Sequence, residues 1–273
     1  MNRYTWRTGT LEGVLCVAAL LFLFPVYILV NMAFRDPSDL KSPISPTLEP
    51  TWRNFVEAWA QAGLGGAIVN SIIVTVISVT LLVVLAAMAA YPLARITARW
   101  SSAMFYLFMV GLLLPFQLGL IPLYRLMREL GLLGGLVPLV IIYVGMRLPF
   151  SVFLYVQFLR QVPIDYEEAA SLDGANRFQT FFRVVFPLVR PVTGTVVILN
   201  GLFVWNDFLI PLLYLSGTGN QTIPVAIYSF VGEFSTQWEL VFASLLIGAL
   251  PVVVAFFFIQ KSLIQGLASG VKG

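Results

Sequence analysis

Residues 160–187 read RQVPIDYEEAASLDGANRFQTFFRVVFP, a polar segment between two long apolar runs. Leu136–Phe158 precedes it and Val192–Tyr214 follows it. The segment itself is too polar to enter lipid and too long for a tight turn. A hydrocarbon core of roughly 30 Å takes about 20 helical residues to cross. Moving outward from the loop, four more runs meet that length: Leu11–Phe34, Ala67–Ala90, Ala103–Pro122 and Leu240–Leu263. The apolar runs are continuous rather than alternating, which argues against a β-barrel. The expectation is an all-α integral membrane protein with six transmembrane helices. Pro25, Pro115, Pro149, Pro211 and Pro251 fall inside these runs. They are expected as kinks, because neighbouring helices can satisfy the backbone groups that a proline frees.

Composition agrees. Of the 273 residues, 59% are hydrophobic and 11% charged, whereas soluble domains run near half apolar and about a quarter charged. The formal net charge of +3 is too small to suggest nucleic acid. With Cys16 as the single cysteine and no histidine, the chain lacks an intrachain disulfide, a multi-cysteine metal site, a catalytic triad and a His-based relay. Arg3 and Arg7 before the first run resemble a signal-peptide n-region, but the run is long and no small-x-small site follows it closely. It reads as a retained anchor.

Orientation follows from the Lys/Arg bias of short loops. A cytoplasmic N-terminus places Arg3, Arg7, Arg95, Arg99, Arg160, Arg177, Arg183, Arg190, Lys261 and Lys272 inside. Arg35, Lys41, Arg53, Arg125 and Arg128 are then outside, with Asp36, Asp39, Glu49, Glu57, Glu129, Glu233 and Glu239. Both termini are expected in the cytoplasm. Pro37, Pro43, Pro46 and Pro50 mark an irregular external loop. Trp52, Phe55 and Trp59 then repeat at helical spacing, as in a short amphipathic helix at the outer interface or a plain aromatic belt.

Within the cytoplasmic segment, Asp165 and Glu168 have the form of a helix start, with a carboxylate placed to cap free N–H groups. Glu167 and Glu168 suit the positive end of the helix dipole. Ala169 and Ala170 are small and helix-favouring, so another protein surface can approach closely. Gly174 can take a left-handed conformation and stop the helix. Phe178, Phe181 and Phe182 return at helical spacing as a second short helix with an aromatic face, and Pro187 closes the segment. The result is a helix–turn–helix bracket; a solvated amphipathic linker is the plainer alternative.

Glu168-Ala169-Ala170, three residues, Gly174, nine residues and Val184-Val185-Phe186-Pro187 resemble the signature EAA-x3-G-x9-I-x-L-P of ABC importer membrane subunits. Val184 for Ile and Phe186 for Leu depart from it by apolar exchanges. Ser171-Leu172-Asp173-Gly174-Ala175 resembles the form seen in carbohydrate importers. Asn70-Ser71, Leu148-Pro149-Phe150, Trp205-Asn206-Asp207-Phe208 and the closing Gly270-Val271-Lys272-Gly273 extend the likeness to the maltose-type sugar permease family, on the side of its six-span partner.

That resemblance implies a type I importer permease fold over residues 1–273, with 159–190 as the cytoplasmic coupling loop. It implies residence in the cell (inner or plasma) membrane and several partners: a second permease subunit, two cytoplasmic ATPases and an external binding protein that delivers a sugar or oligosaccharide. It also implies alternating access, in which ATP binding closes the ATPase dimer and the bracket passes that motion to the spans. Glu168 is then the polar contact to the ATPase, Ala169 and Ala170 permit docking, Gly174 sets the bend beside Asp173, and Pro187 fixes the return to the membrane. The chain carries no G-x4-G-K-[ST] loop, so ATP and Mg are expected in the partner subunits and no cofactor in this chain. A sugar phosphate or polyol is an alternative cargo.

Asp207 and Arg147 would each cost roughly 2.5–3.5 kcal/mol near a span centre, so such groups face a bundle interior or a watery cavity. With Trp205 and Asn206 they are candidates for lining the substrate path or holding an inter-subunit contact. Residues 216–237, rich in Gly, Ser and Thr, face the binding protein if the resemblance holds, or are simply a loop. The tail from Gln260 to Gly273 reaches toward the ATPases on the same ground. A secondary transporter fits the composition, but such proteins commonly show repeated halves, and none is evident here. A membrane enzyme lacks a catalytic set.

Overall fold

The computed structural model describes residues 6–215, 217–232 and 236–270, with Arg7 and residues 259–270 described by their backbone alone. Arg3, Ser216, Glu233, residues 271–273 (with Lys272) and the side chains of Arg7 and Lys261 lie outside the described residues. Apart from an isolated bridge between Val231 and Thr236, the described regular structure is helical. The helices are α1 (Trp6–Ala33), α2 (Arg53–Gln61), α3 (Leu64–Arg95), α4 (Arg99–Leu113), α5 (Leu120–Glu129), α6 (Val137–Leu159), α7 (Asp165–Leu172), α8 (Arg177–Thr180), α9 (Phe186–Leu188), α10 (Arg190–Asn206), α11 (Leu209–Leu215), α12 (Ile223–Tyr228) and α13 (Trp238–Gly270). A 3₁₀ turn (Phe116–Gly119) precedes α5 and a π-turn (Phe181–Val185) joins α8 to α9.

Four helical stretches are long and apolar enough to cross a bilayer: Thr8–Ala33, Leu64–Arg95, Val137–Leu159 and Trp238–Phe258. Two bent pairs raise the number to as many as six if each is one span: Arg99–Leu113 with Phe116–Glu129, bent by 87°, and Arg177–Leu188 with Arg190–Asn206, bent by 73°. Pro25, Pro149 and Pro251 lie inside continuous helices, so the apolar runs are not broken there. Pro115 does not: Leu114 and Pro115 are both extended, and the helix ends at Leu113. A proline disfavours helical backbone at the residue before it, and here no continuation overrides that bias. The expected fifth span, Val192–Tyr214, is likewise divided at Asp207-Phe208. Pro211 is the third residue of the new helix, where its missing N–H would have had no helical partner in any case.

The chain divides into two compact units, residues 1–65 with 226–251 and residues 66–225 with 252–273. In the first unit, α1 exposes apolar side chains along most of its length, while the segment that follows it is pinned by three polar side chains. Asn31 donates through Nδ2 to the carbonyls of Pro43 (2.8 Å) and Ser45 (2.9 Å) and accepts from Thr47 N–H (2.9 Å). Arg35, only 3% exposed, donates through Nη1 to the carbonyls of Lys41 and Ser42 and through Nη2 to that of Ser45. Asn54 of α2, fully buried, donates to the carbonyls of Ala33 and Arg35. The 36–52 loop is irregular, as its prolines imply, yet its carbonyls are gathered by cationic and amide donors. Within it, two hydrogen bonds from Ser38 (side chain first, then backbone) hold the Asp36 carboxyl below the usual carboxylate range. The Trp52-Phe55-Trp59 pattern does form a short helix. Phe55 and Trp52 both pack on Phe34 (ring centroids 4.8 and 4.9 Å away), although Trp52 and Trp59 remain largely exposed.

The second unit is built on apolar faces at helical spacing. Val79, Val83, Ala86, Ala87, Ala90 and Leu93 of α3 meet Val152, Tyr155, Val156 and Leu159 of α6 and Val185, Val189, Val192 and Val196 across the α9–α10 bend. The α3 face is rich in alanine, the small residue type that permits close helix packing where burial from water gives helices no mutual attraction. A second cluster joins Val74, Met127, Leu139, Ile142 and Tyr143 to Val204, Ile210 and Tyr214.

Replacing Arg35 with Met strands several carbonyls in the first unit, at about 1–3 kcal/mol for each group that stays buried. The expected result is a lower unfolding midpoint in detergent and protease cleavage between residues 36 and 50. A wild-type midpoint and an uncut loop would refute that anchoring.

Candidate functional site

The bracket forms between α6 and α10, and its capping differs from the expected one. Ile164, just after Pro163, already has helical dihedrals and is the N-cap residue, with no side-chain cap bond. Asp165 therefore sits inside the first turn, too far along to cap it. Asp165, Glu167 and Glu168 instead place three carboxylates at the positive end of the dipole. At the other end the expectation holds. Gly174 has φ of +84°, Ala175 N–H donates to the Ala170 carbonyl (3.0 Å) and Gly174 N–H to that of Ser171 (3.1 Å). This pairing is the Schellman arrangement, which closes the helix's free carbonyls with a left-handed residue.

The second half starts on a reciprocal cap missed in the sequence. Gln179 N–H donates to Asn176 Oδ1 (2.9 Å), and Asn176 N–H donates to Gln179 Oε1 (3.0 Å). The Asn-x-x-Gln spacing is the signal that marks it. Phe178, Phe181, Phe182 and Phe186 form a chain of ring contacts, from 4.6 Å between Phe178 and Phe182 to 6.5 Å between Phe182 and Phe186. Phe181 also meets Tyr91 at 5.4 Å and so roots the chain in the α3 core. Pro187 lies within α9, and the turn toward α10 falls at Val189, two residues later than expected.

What holds the bracket to the helices is Glu167, which sequence reasoning treated only as a dipole partner. Its carboxylate accepts from Arg95 Nε (2.7 Å) and from the Tyr91 hydroxyl (2.7 Å), both at the end of α3, and the Arg95 and Glu167 side chains are largely buried. An open cleft of about 900 Å³ runs beside this tie, lined by Arg95, Ile96, Glu167, Leu172, Arg177 and Phe178. Glu168, Ala169, Asp173 and Gly174 point away from the core and are exposed, with Tyr166, Phe178 and Leu172, the last 90% exposed. The bracket is thus rooted on one side and open on the other.

The remaining sequence candidates lie along α6 and α10. Arg147 Nε donates to Asn200 Oδ1 (2.8 Å), and its guanidinium rests over the rings of Phe203 (4.5 Å) and Phe150 (4.9 Å). Asn200 is fully buried and its amide is fixed by donation to Ser151 Oγ and the Val196 carbonyl. Asp207 Oδ2 accepts from the Tyr143 hydroxyl (2.8 Å) and from Ile210 N–H (3.0 Å), so it caps the restart of the helix at α11. Asn206 donates to the Leu202 carbonyl, one turn back, and Trp205 is partly buried. The structure gathers Arg147 and Asp207 near the Phe203 and Tyr143 rings; it does not bring them to the bracket. Asn70 and Ser71 hold the segment before α12, through the Gln221 carbonyl (3.0 Å) and Ile223 N–H (3.0 Å).

A family model described as "Binding-protein-dependent transport system inner membrane component" matches residues 82–269, which takes in both the bracket and the Arg147–Asp207 region. The chain belongs to this family. It is a multi-pass membrane protein of a family of transport permeases, not of enzymes. Across 272 residues it is 35% identical to the melibiose/raffinose/stachyose import permease protein MelC of Bacillus subtilis (strain 168), covering 98% of this chain and 99% of that protein. The probable starch degradation products transport system permease protein AmyC of Thermoanaerobacterium thermosulfurigenes is 33% identical, over 93% of each chain. The fold matches that of a crystal structure of a bacterial ABC transporter involved in the import of the acidic polysaccharide alginate. The TM-score is 0.83 at 20% identity, over 96% of this chain and 99% of that one.

Because the Glu167–Arg95 pair is largely buried, Glu167→Ala and Arg95→Met are expected to be non-additive. A double-mutant cycle on unfolding in detergent should return a coupling of about 0.5–3 kcal/mol. Additive losses would show that the two side chains do not act together.

Proposed function

We propose that this chain is one of two permease subunits of a binding-protein-dependent ABC importer for a sugar or oligosaccharide. Residues 1–273 form its transmembrane domain, with six spans and both termini in the cytoplasm of a cell-membrane assembly. The companion permease forms the other half of the path, an external binding protein delivers cargo, and two cytoplasmic subunits bind and hydrolyse ATP with Mg. The carbohydrate cargo is supported by likeness to relatives named for oligosaccharide and starch-product transport over nearly their whole length.

One observation carries the mechanism: a bracket capped at Gly174, tied to α3 through Glu167 and exposed along Glu168, Ala169 and Asp173. Displacing a gate from 1:99 to 99:1 takes about 5.5 kcal/mol of differential binding, and a floppy linker would dissipate the movement. Glu168 and Asp173 supply charge to the ATPase contact, while Ala169 and Ala170 admit its surface. Pull on this face reaches α3 through the buried carboxylate and α10 through the aromatic chain. Trp205, Asn206, Asp207 and Arg147 sit apart from it, as residues of the substrate path or of the contact with the companion permease.

Gly174→Asp puts a side chain at φ +84° and breaks the cap. In the intact transporter it should abolish uptake, either by losing the ATPases on purification or by leaving hydrolysis that no longer drives uptake. Wild-type uptake with normal co-purification of the ATPases would refute the coupling role. Uptake by the parental transporter should require ATP and persist when the proton gradient is collapsed.

A further inference from the structure

Arg147 is a cation within a membrane-crossing helix, and it takes part in none of the ion pairs among the described residues. Its Nε is committed to Asn200 and its guanidinium rests on two phenylalanine rings, so the donors left over are the Nη groups. They have no protein partner among the described residues and are not buried. Asn200 cannot turn away, because both of its Nδ2 donations are used. The arginine is therefore held with its fork presented, in a helix where a charge facing lipid is costly.

One turn back on α6, Tyr143 meets the Phe203 ring edge-on at 6.4 Å and donates to Asp207 Oδ2. Asp207 Oδ1 has no protein partner among the described residues and is not buried. A free donor fork, the partly exposed Phe203 ring and a free acceptor oxygen thus follow one another across α6 and α10. A sugar ring offers the complement: hydroxyls that both donate and accept, and a C–H face that packs on an aromatic ring. An anionic cargo would suit the arginine but would also meet the carboxylate of Asp207, which is linked to the Arg147 guanidinium through Tyr143 and Phe203. We propose that Arg147, Phe203 and Asp207 form a subsite on the translocation path for a neutral sugar ring, with Arg147 Nη donating to its hydroxyls and Asp207 Oδ1 accepting from them. This rests on the carbohydrate-importer reading above and narrows it to uncharged cargo.

Two measurements on the assembled transporter test the subsite. In a Cys16→Ala background, Arg147→Cys should react with a water-soluble methanethiosulfonate reagent, since the position faces an aqueous path. A thiol that stays unlabelled in the folded complex overturns the placement. Separately, uptake of radiolabelled neutral oligosaccharides (melibiose, raffinose, maltotetraose) and of an oligouronate is measured in proteoliposomes. The parental transporter should take up at least one neutral probe, and Arg147→Gln and Arg147→Lys should raise its KM at least ten-fold while the companion permease still co-purifies. Unchanged KM overturns the subsite, and loss of the companion permease reassigns Arg147 to the inter-subunit contact. Uptake of the oligouronate alone overturns the choice of neutral cargo. Failure of every carbohydrate, with the thiol labelled, instead removes the carbohydrate reading while leaving the aqueous placement standing.

Discussion

Where a helix is interrupted among apolar neighbours, every freed N–H and C=O must find a partner, because no water is there to supply one. The chain answers this at Asp207 with a side chain, and it closes irregular segments outside the apolar runs with side-chain or backbone partners as well. At Asp207 the carboxylate takes the Ile210 N–H as α11 begins. At Gly174 a left-handed residue folds two N–H groups back onto the last carbonyls of α7. At the end of α1, Arg35, Asn31 and Asn54 gather the carbonyls of a proline-broken loop. The polar residues conspicuous in so apolar a sequence are largely those that make its irregular segments tolerable.

The same solutions give the molecule stiff joints in chosen places. The bracket has a Schellman end, a reciprocal Asn176–Gln179 cap and a run of phenylalanines, each of which removes freedom from a segment that would otherwise swing. Glu167 then fastens it to α3. A buried ion pair is weak evidence for stability, since desolvation opposes the attraction, but it fixes geometry well. In the coupling role proposed for the bracket, geometry is the property needed. Adjacent carboxylates are thereby separated: Glu167 faces inward as a tie and Glu168 outward, exposed.

Along α6 and α10 the polar groups follow another pattern. They are held from behind, Arg147 by Asn200 and Asp207 by Tyr143, and each retains unused hydrogen-bonding capacity on the open side. Side chains positioned by buried partners and left partly unsatisfied suit a surface that meets successive ligands, where firm orientation must coexist with weak, reversible contact.

Much of this was legible beforehand. Apolar runs of bilayer length, the small charge count, the spacing of Glu168-Ala169-Ala170 to Gly174 and the phenylalanine periodicity are local patterns, and local patterns survive in a linear reading. Gly174 could be placed because the conformation that ends a helix favours the residue without a Cβ. The Glu167–Arg95 tie joins residues 72 positions apart, and the Arg147–Asn200 bond residues 53 apart; neither partner marks the other in the sequence. Nor did residue type tell that a helix ends before Pro115 while another runs on through Pro149. Composition and period pointed to the bilayer and to helices, and the motif from Glu168 to Pro187 to the family it resembles; packing alone selected which of two neighbouring glutamates would be buried.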